Sequence, residues 1–316
     1  MSKFKIRHIT KYTYEDTVRD SANQIMLYPI RDNYQDVLKH SVTLSGNSVI
    51  HVHQDYFGNE VGTFTQAQPH HELIIDSQLM VNTSPREMPK DDRSHKEQWQ
   101  ELENIKYQLH IIDFIKVERF EAQNEVEQLV EAQRCKVCTP LQSAREFCNY
   151  IYQNFKYKKG ITTVESTLDE VWKLKSGVCQ DFAHVLLVML RMLKIPARYV
   201  SGYICPNKDG MRGAGATHAW VEAYIPFYGW IGLDPTNNIL VNDAHVRLAV
   251  GKSFSDCSPV KGTYRGTSNH TLDVAVAVSY EDGYHTDDKN EVIEPIEISS
   301  VTKNSFRRHQ EMQMQQ

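Results

Sequence analysis

The sequence lacks any long hydrophobic run. No stretch of its 316 residues approaches the roughly 18 apolar residues that cross a membrane. The first eight residues, MSKFKIRH, also lack the apolar centre of a secretory signal. We therefore expect a cytoplasmic location and no membrane partner.

The sequence also lacks an excess of basic residues. Its formal net charge is −5, and residues of both signs are interspersed. A nucleic-acid-binding surface usually needs a basic patch, so we expect no nucleic-acid partner. The hydrophobic fraction of 41% is typical of a globular protein, and the length allows one large domain or two.

Cysteine is scarce, with six residues in the chain. In a large chain without an export signal, free thiols are expected more than a disulfide framework. Cys135 and Cys138 form a C-x-x-C pair, but a zinc site needs about four ligands and no second pair of suitable spacing follows. A redox pair would need a thioredoxin-like βαβ setting. We expect neither a metal nor a cofactor.

The first part of the chain, residues 1–105, is predicted to be a β-rich domain followed by a linker. Runs of strand length occur at 37–44 and 73–81, separated by turn-forming glycine and asparagine. Residues 85–105 are polar and charged, with a short helix expected around Trp99.

Residues 106–280 are predicted to form the main domain, which begins with helices. Pro140 suits the first position of a helix. Thr167 begins a capping box, and Gly177 is the expected stop of that helix. A third helix follows Cys179 and is apolar almost all round, so it should be buried.

Strands are predicted after these helices, at 198–204, 217–225, 230–233 and 272–279. The last of them alternates valine and alanine with the period of a strand. The final segment, 281–316, is charged and rich in glutamine, and we expect a partly disordered tail.

Cys179 is the cysteine best placed for chemistry. The glycine at 177 precedes it and a buried helix follows, so the sulfur should lie at a helix N-terminus. Unpaired N–H groups and the helix dipole favour a thiolate there, and the same N–H groups can stabilise an oxyanion. Asp181 opposes this, because its negative charge disfavours a thiolate unless it is paired elsewhere.

His218 and Asp234 complete a candidate triad. His218 begins a strand that turns at 226–229, and the return strand carries Asp234 back beside it. A carboxylate there can accept the far ring N–H and fix the orientation of the base. Each residue also has a structural explanation: a core cysteine, a structural histidine and an Asp-Pro turn. Their combination on elements that can converge is what favours catalysis.

Four motifs resemble the core of the bacterial transglutaminase-like family. They are GVCQDFAH at 177–184, IPARYVSGY at 195–203, HAWVE at 218–222 and GWIGLDPT at 229–236. The N-terminal stretches HITKYTY at 8–14, DYFGN at 55–59 and PHH at 69–71 resemble the β-rich domain that accompanies this core. SP at 258–259 and GTYRG at 262–266 resemble its C-terminal signature, so only the linker and tail are left out.

The resemblance implies an α+β fold: a papain-like, transglutaminase-like core of helices packed on an antiparallel sheet, with an N-terminal β-rich domain. It implies that Cys179 is the nucleophile, His218 the base and Asp234 the orienting residue. The tryptophan that supports the oxyanion in animal transglutaminases has no counterpart, since Trp172 is too close to the cysteine. No calcium-loop pattern is found in the sequence.

The expected function is cysteine-dependent hydrolysis of an amide or peptide bond through a thioester acyl-enzyme. The substrate would be a peptide or protein with an amide or isopeptide bond. The alternative is a protein-glutamine acyltransferase, in which an amine replaces water as the acceptor. A third possibility is an inactive binding module on the same fold, which the complete triad disfavours.

Overall fold

The computed structural model describes residues 2–163, 166–205, 211–213, 215–266 and 269–280. The tail predicted at 281–316 lies outside the described residues. Among the helices in the described part of the chain, none has both the length and the apolar character needed to cross a membrane.

A seven-stranded antiparallel sheet forms most of the N-terminal region. Its central strand, β1 (Ser2–Ile25), pairs with four others along its length. The remaining strands are β2 (Gln35–Leu44), β3 (His51–Gln54), β4 (Glu60–Gln66), β5 (His70–Thr83), β13 (Val260–Arg265) and β14 (His270–Tyr280). The strands predicted at 37–44 and 73–81 are thus confirmed as parts of β2 and β5.

Strand β14 joins this sheet from the far end of the described chain. Its residues pair with β1 from Tyr280 opposite Phe4 to His270 opposite Tyr14. The strand predicted at 272–279 is confirmed as part of β14, and its hydrogen bonds are made to β1 of the N-terminal sheet. The physical reason is that pairing with β5 leaves the N–H and C=O groups on the other edge of β1 without partners. Strand β14 supplies those partners over the same residues of β1.

Seven helices lie in the described residues. They are α1 (His95–Ile105), α2 (Leu109–Ile112), α3 (Gln123–Gln133), α4 (Pro140–Asn154), α5 (Leu168–Leu174), α6 (Cys179–Met192) and α7 (Phe254–Cys257). The helix expected near Trp99 is α1, and Pro140 is the first residue of α4, as predicted. Both helices begin with a capping box, in which side chain and backbone satisfy each other's free groups.

Helix α5 begins as predicted and ends differently. Thr167 accepts from the Glu170 backbone N–H, and Glu170 accepts from the Thr167 N–H. The helix stops at Lys175, which adopts the left-handed conformation (φ 47°), and not at Gly177. Gly177 instead lies in the short strand β7 (Ser176–Gly177), which pairs in parallel with β6 (Lys156–Tyr157). The left-handed residue that ends the helix is therefore Lys175 and not the predicted Gly177.

The second sheet carries the main domain. Its five antiparallel strands are ordered β11 (Ile239–Leu240), β10 (Gly229–Asp234), β9 (Ala216–Ile225), β8 (Ala197–Ile204) and β12 (His245–Gly251). Helix α6 packs on β9, where Phe182 and Leu186 share a buried core with Ala219 and Val221. Helices on an antiparallel sheet, beside a strand-rich N-terminal region, confirm the predicted α+β class.

The two sheets share apolar and charged contacts. Tyr203 of β8 and Val246 of β12 belong to the apolar core of the N-terminal sheet. Glu222 is fully buried between Arg198, at 2.6 Å, and Arg247, at 3.2 Å. Arg247 also contacts Asp32, which lies beyond β1. The N-terminal region is therefore packed directly against the sheet that carries the candidate site.

The cysteines depart from the expectation of free thiols in one place. Cys135 and Cys138 form a disulfide, with their Cα atoms 5.3 Å apart, while the other four cysteines are free. The prediction of free thiols was based on cellular compartment and chain size. Neither of these indicates whether two particular cysteines lie close together. A C-x-x-C turn directly before α4 brings the two sulfurs together without help from the rest of the fold.

Candidate active site

Cys179 is the first residue of α6. The first hydrogen bond of that helix runs from the Phe182 N–H to the Val178 carbonyl, at 3.1 Å. The N–H groups of residues 179–181 therefore have no partner within the helix and remain available at its positive end. The predicted position of the sulfur at a helix N-terminus is confirmed.

Exposure separates Cys179 from the other free thiols. Cys148, Cys205 and Cys257 are buried, and burial raises the pKa of each. Cys179 is half-buried, so it is partly exposed to solvent. Because only the thiolate is nucleophilic, Cys179 is the free cysteine suited to chemistry.

Asp181, whose negative charge would disfavour a thiolate at Cys179, is paired with other groups. Its Oδ2 accepts from the Val178 N–H at 2.8 Å and from the Thr162 hydroxyl at 2.7 Å. Burial raises the pKa of Asp181, and these hydrogen bonds act in the opposite direction. The carboxylate thus fastens the start of α6 to the segment around Thr162.

His218 lies on β9, opposite Gly202 of β8. The glycine is required by packing, because a Cβ there would overlap the Val246 carbonyl and come within 2.7 Å of Trp220 Cη2. The space lets the Trp220 ring lie beside His218, with centroids 6.2 Å apart and planes tilted by 30°. A buried aromatic wall therefore restricts the imidazole.

The hairpin of β9 and β10 brings His218 and Asp234 together, as the sequence predicted. Pairing of Leu233 with Val221 places Asp234 one step further along, diagonal to His218 on the same face. His218 Nε2 lies 2.9 Å from Asp234 Oδ2, and both side chains are almost completely buried. Asp234 can thus accept the far N–H of the imidazole.

The Asp234 carboxylate is surrounded by further N–H donors. Its Oδ1 accepts from the backbone N–H groups of Thr236, at 2.9 Å, and Asn237, at 3.3 Å. Its Oδ2 accepts from Asn237 Nδ2 at 2.8 Å and faces His245 Nε2 at 3.3 Å. Such donors favour the ionised form of a buried carboxyl.

Electrostatics link the three candidate residues. Burial alone would lower the pKa of His218, but Asp234 and Cys179 outweigh it and raise that pKa to about 10. Burial pushes the pKa of Asp234 upward, yet His218 and His245 hold it well below its usual range. The arrangement favours an imidazolium beside a carboxylate, which is the state a cysteine–histidine pair uses.

The segment before β9 borders the base. A Cβ placed on Gly213, which has φ 77°, would lie 3.4 Å from His218 Nδ1 and 3.8 Å from the Tyr157 hydroxyl. Asn237 holds this segment, because its Oδ1 accepts from the Arg212 N–H at 2.8 Å. Asn237 therefore ties this segment to Asp234.

The structure brings Asp234 into contact with His218 and places Cys179 near enough to raise the pKa of that histidine. The catalytic roles of the three residues stay a prediction. Sequence reasoning missed Asn237 and His245. The first follows Asp234 by three positions and could have been noticed in the same turn, whereas the second lies on β12 and gave no local signal.

Trp172 is not positioned as an oxyanion donor. It is buried against Phe155, and the Lys175 ammonium lies 2.7 Å from the centre of its ring. No second oxyanion donor is assigned.

A groove of about 320 Å³ lies between α3 and the end of α6, lined by Val130 and Met192. It is roughly 20 Å along α6 from Cys179, since a helix rises about 1.5 Å per residue.

Among the described residues, two groups of side chains place potential metal ligands close together. One is Cys135, Cys138 and Glu146, in which the two sulfurs are joined to each other. The other is His218, Asp234 and His245. Within it the contacts of 2.9 and 3.3 Å are hydrogen-bond distances, so the protein itself uses these atoms. We assign no metal role to either group.

Comparison with known proteins identifies the family. Residues 127–235 match the transglutaminase-like superfamily, and residues 4–82 match the bacterial transglutaminase-like N-terminal region. An uncharacterized protein of Mycobacterium leprae is 31% identical over 283 residues, covering 88% of this chain and 99% of that protein. The chain therefore belongs to the transglutaminase-like superfamily and carries the N-terminal region of its bacterial members.

Two further similarities concern proteins whose names suggest an activity. A protein-glutamine gamma-glutamyltransferase of Pseudomonas aeruginosa is 32% identical over 98 residues, which is 28% of this chain and 14% of that enzyme. A structure of a candidate cysteine protease from Cytophaga hutchinsonii superposes with a TM-score of 0.72 at 21% identity, covering 90% of this chain and 92% of that one. The second similarity concerns the fold alone.

Proposed function

We propose that this chain hydrolyses an amide or peptide bond through a thioester on Cys179. The observation that carries the proposal is the half-buried Cys179 at the start of α6, close enough to His218 to raise its pKa, with His218 Nε2 lying 2.9 Å from Asp234. This is the nucleophile, base and orienting group that acyl transfer needs. The substrate is a peptide or protein with an amide or isopeptide bond.

In the first half of the reaction, the Cys179 sulfur attacks the carbonyl carbon and forms a carbon–sulfur bond. The unpaired N–H groups at the start of α6 stabilise the negative oxygen. The carbon–nitrogen bond then breaks, and His218 gives its proton to the leaving amine. The products at this stage are the free amine and a thioester.

In the second half, water attacks the thioester while His218 accepts one of its protons. The carbon–sulfur bond breaks, the acid is released and the thiolate is restored beside the imidazolium. Asp234 keeps the ring oriented through both halves. Atoms balance as amide plus water giving acid plus amine.

An acyltransferase is the second candidate, and the similarity to the Pseudomonas aeruginosa enzyme favours it. There a primary amine, instead of water, would attack the same thioester. Both reactions share the first half, so the residues proposed above serve either one.

The test is product analysis with a glutamine peptide and an isopeptide, each with and without a fluorescent primary amine. A hydrolase forms the free acid at a rate that the amine hardly changes. An acyltransferase incorporates the amine at the expense of the acid. Cys179→Ala should abolish either product while the thermal unfolding curve is kept, because alanine suits a helix start.

The matched control is Cys257→Ala, which removes a buried thiol outside the proposed triad. It should keep turnover, although the cavity lowers its stability. Loss of turnover in the Cys257 variant together with retention in Cys179→Ala would assign the chemistry to a different thiol. The expected cytoplasmic location and the absence of nucleic-acid and membrane partners stay predictions.

A further inference from the structure

His245 lies in the candidate site although its position in the sequence gives no indication of it. It is the first residue of β12, which pairs with β8 on the side away from β10. Its ring is buried and packs edge-on against Trp220, with centroids 5.1 Å apart. Its Nε2 lies 3.3 Å from Asp234 Oδ2, the oxygen that also faces His218.

The other ring nitrogen of His245 is also occupied. Nδ1 lies 3.2 Å from Asn242 Oδ1. The orientation of that amide is fixed, because the same oxygen accepts from the Ala244 N–H at 2.9 Å. Both nitrogens of His245 therefore face oxygen atoms that only accept hydrogen bonds.

A neutral imidazole has one N–H to give to these two acceptors. Asp234 is the stronger acceptor because it is ionised, so the proton belongs on Nε2. A second proton would satisfy Asn242 as well, but burial opposes it and lowers the pKa of His245. Among the described residues, the ionisable groups that influence His245 are Asp234, His218 and Asp243.

We infer that His245 is a positioning residue that donates from Nε2 to Asp234 and keeps this carboxyl ionised beside His218. The inference rests on the proposed function, in which the ionised Asp234 stabilises the imidazolium partner of the Cys179 thiolate. A hydrogen bond to the charged form of a carboxyl favours that form. Its loss therefore lets Asp234 take up a proton at a higher pH.

The test uses alkylation of Cys179 by iodoacetamide, which needs no substrate. The alkylation rate is measured between roughly pH 3 and 10, which brackets the pKa values of cysteines paired with histidine and of free cysteines. Labelling of residue 179 is quantified by peptide mass spectrometry. His245→Leu removes the donor. His245→Gln keeps an amide N–H near the position of Nε2 but does not titrate. Thermal unfolding of each variant is recorded in the same buffers.

We expect the acid-side midpoint of alkylation to rise by about one pH unit in His245→Leu, which corresponds to a ten-fold lower rate on that limb. In His245→Gln it should stay near the wild-type value. Identical profiles in the wild type and both variants would reduce His245 to a packing residue and overturn the inference. A shift to lower pH in His245→Leu would overturn it too.

If His245→Leu does not fold, His245→Asn takes its place. Its shorter amide does not reach Asp234, so its midpoint should rise where that of His245→Gln does not. Equal midpoints in these two variants would contradict the inference. Failure of the proposed function gives a different result, since wild-type Cys179 would then react like an ordinary thiol and both proposals would fall.

Discussion

Asn237 holds Asp234 from both sides. Its side-chain Nδ2 donates to Oδ2 at 2.8 Å, and its backbone N–H donates to Oδ1 at 3.3 Å. Together with Thr236 and the two histidines, it leaves the carboxylate facing N–H donors at each oxygen. The predictions about Asp234 follow from this ring of donors.

Asp234→Asn should lower turnover roughly 10–100-fold. This is less than the about 10⁴-fold loss in a serine triad, because a thiolate–imidazolium pair already shares its charge. The structure adds a cost in stability. The asparagine NH₂ must face donors on one side, and leaving them unpaired costs about 1–3 kcal/mol.

Asp234→Ala should be slower still, since His218 then loses its partner. The measurements are turnover and denaturant unfolding of the two variants side by side. Equal and complete loss of turnover in both would mean that the charge is essential. Full activity in both would leave Asp234 as a turn residue only.

Asn237→Asp should reduce turnover by about ten-fold, the equivalent of one lost hydrogen bond of about 1.4 kcal/mol. The new carboxylate removes the Nδ2 donor and places a like charge beside Asp234, which raises the pKa of that group. The alkylation profile of Cys179 should shift to higher pH on its acid side.

Asn238→Asp is the matched control for this variant, because it adds the same charge one residue later. The Asn238 side chain points to a different partner, because its Nδ2 donates to Asn149 Oδ1 at 3.0 Å. Its left-handed backbone (φ 55°) is one that aspartate tolerates. A similar loss in both variants would show that charge anywhere in the turn suffices.

Cys179→Ala should become less stable as the pH rises above about 6.5, the ordinary pKa of histidine in an unfolded chain. In this variant Asp234 still raises the pKa of His218, although the contribution of Cys179 is gone. The folded state then binds a proton that the unfolded state has released, so the free energy of unfolding falls with pH, by at most about 1.4 kcal/mol per unit.

Urea unfolding at several pH values measures this slope. Adding His218→Gln should remove the contribution, because glutamine does not titrate. A stability that stays level over the same range in Cys179→Ala would contradict a raised pKa for His218.

Gly202→Ala should destabilise the protein by about 1–3 kcal/mol, the usual cost of overpacking. The new methyl group meets the Val246 carbonyl, which is backbone and cannot turn away, and the Trp220 ring. Displacement of Trp220 should also slow alkylation of Cys179. Gly58→Ala is the control, since its Cβ meets nothing within 4 Å and its φ of 82° adds backbone strain alone.

Cys135→Ser with Cys138→Ser should leave the alkylation rate of Cys179 unchanged. The disulfide spans a short loop outside the proposed triad, and its removal should cost about 2 kcal/mol or less. A large fall in Cys179 reactivity would instead give this pair a metal or redox role, in which Glu146 is the neighbouring ligand.

The sequence by itself determined the elements that depend on neighbours along the chain. An apolar run after Cys179 produced a buried helix, and a turn at 226–229 returned Asp234 to His218. Helix periodicity, capping and hairpin register act over a few residues, so their signals are local. The same locality explains why the strands of the main domain were found close to their predicted positions.

Only the tertiary structure decided which distant segments meet. His245 reaches Asp234 because β12 pairs with β8, and β14 completes the N-terminal sheet because β1 has a free edge. Such pairings join segments that are far apart along the chain. In the case of β1 and β14, the paired residues are more than 200 positions apart. Backbone hydrogen bonding is the same for every sequence, so a strand's own residues do not specify its partner.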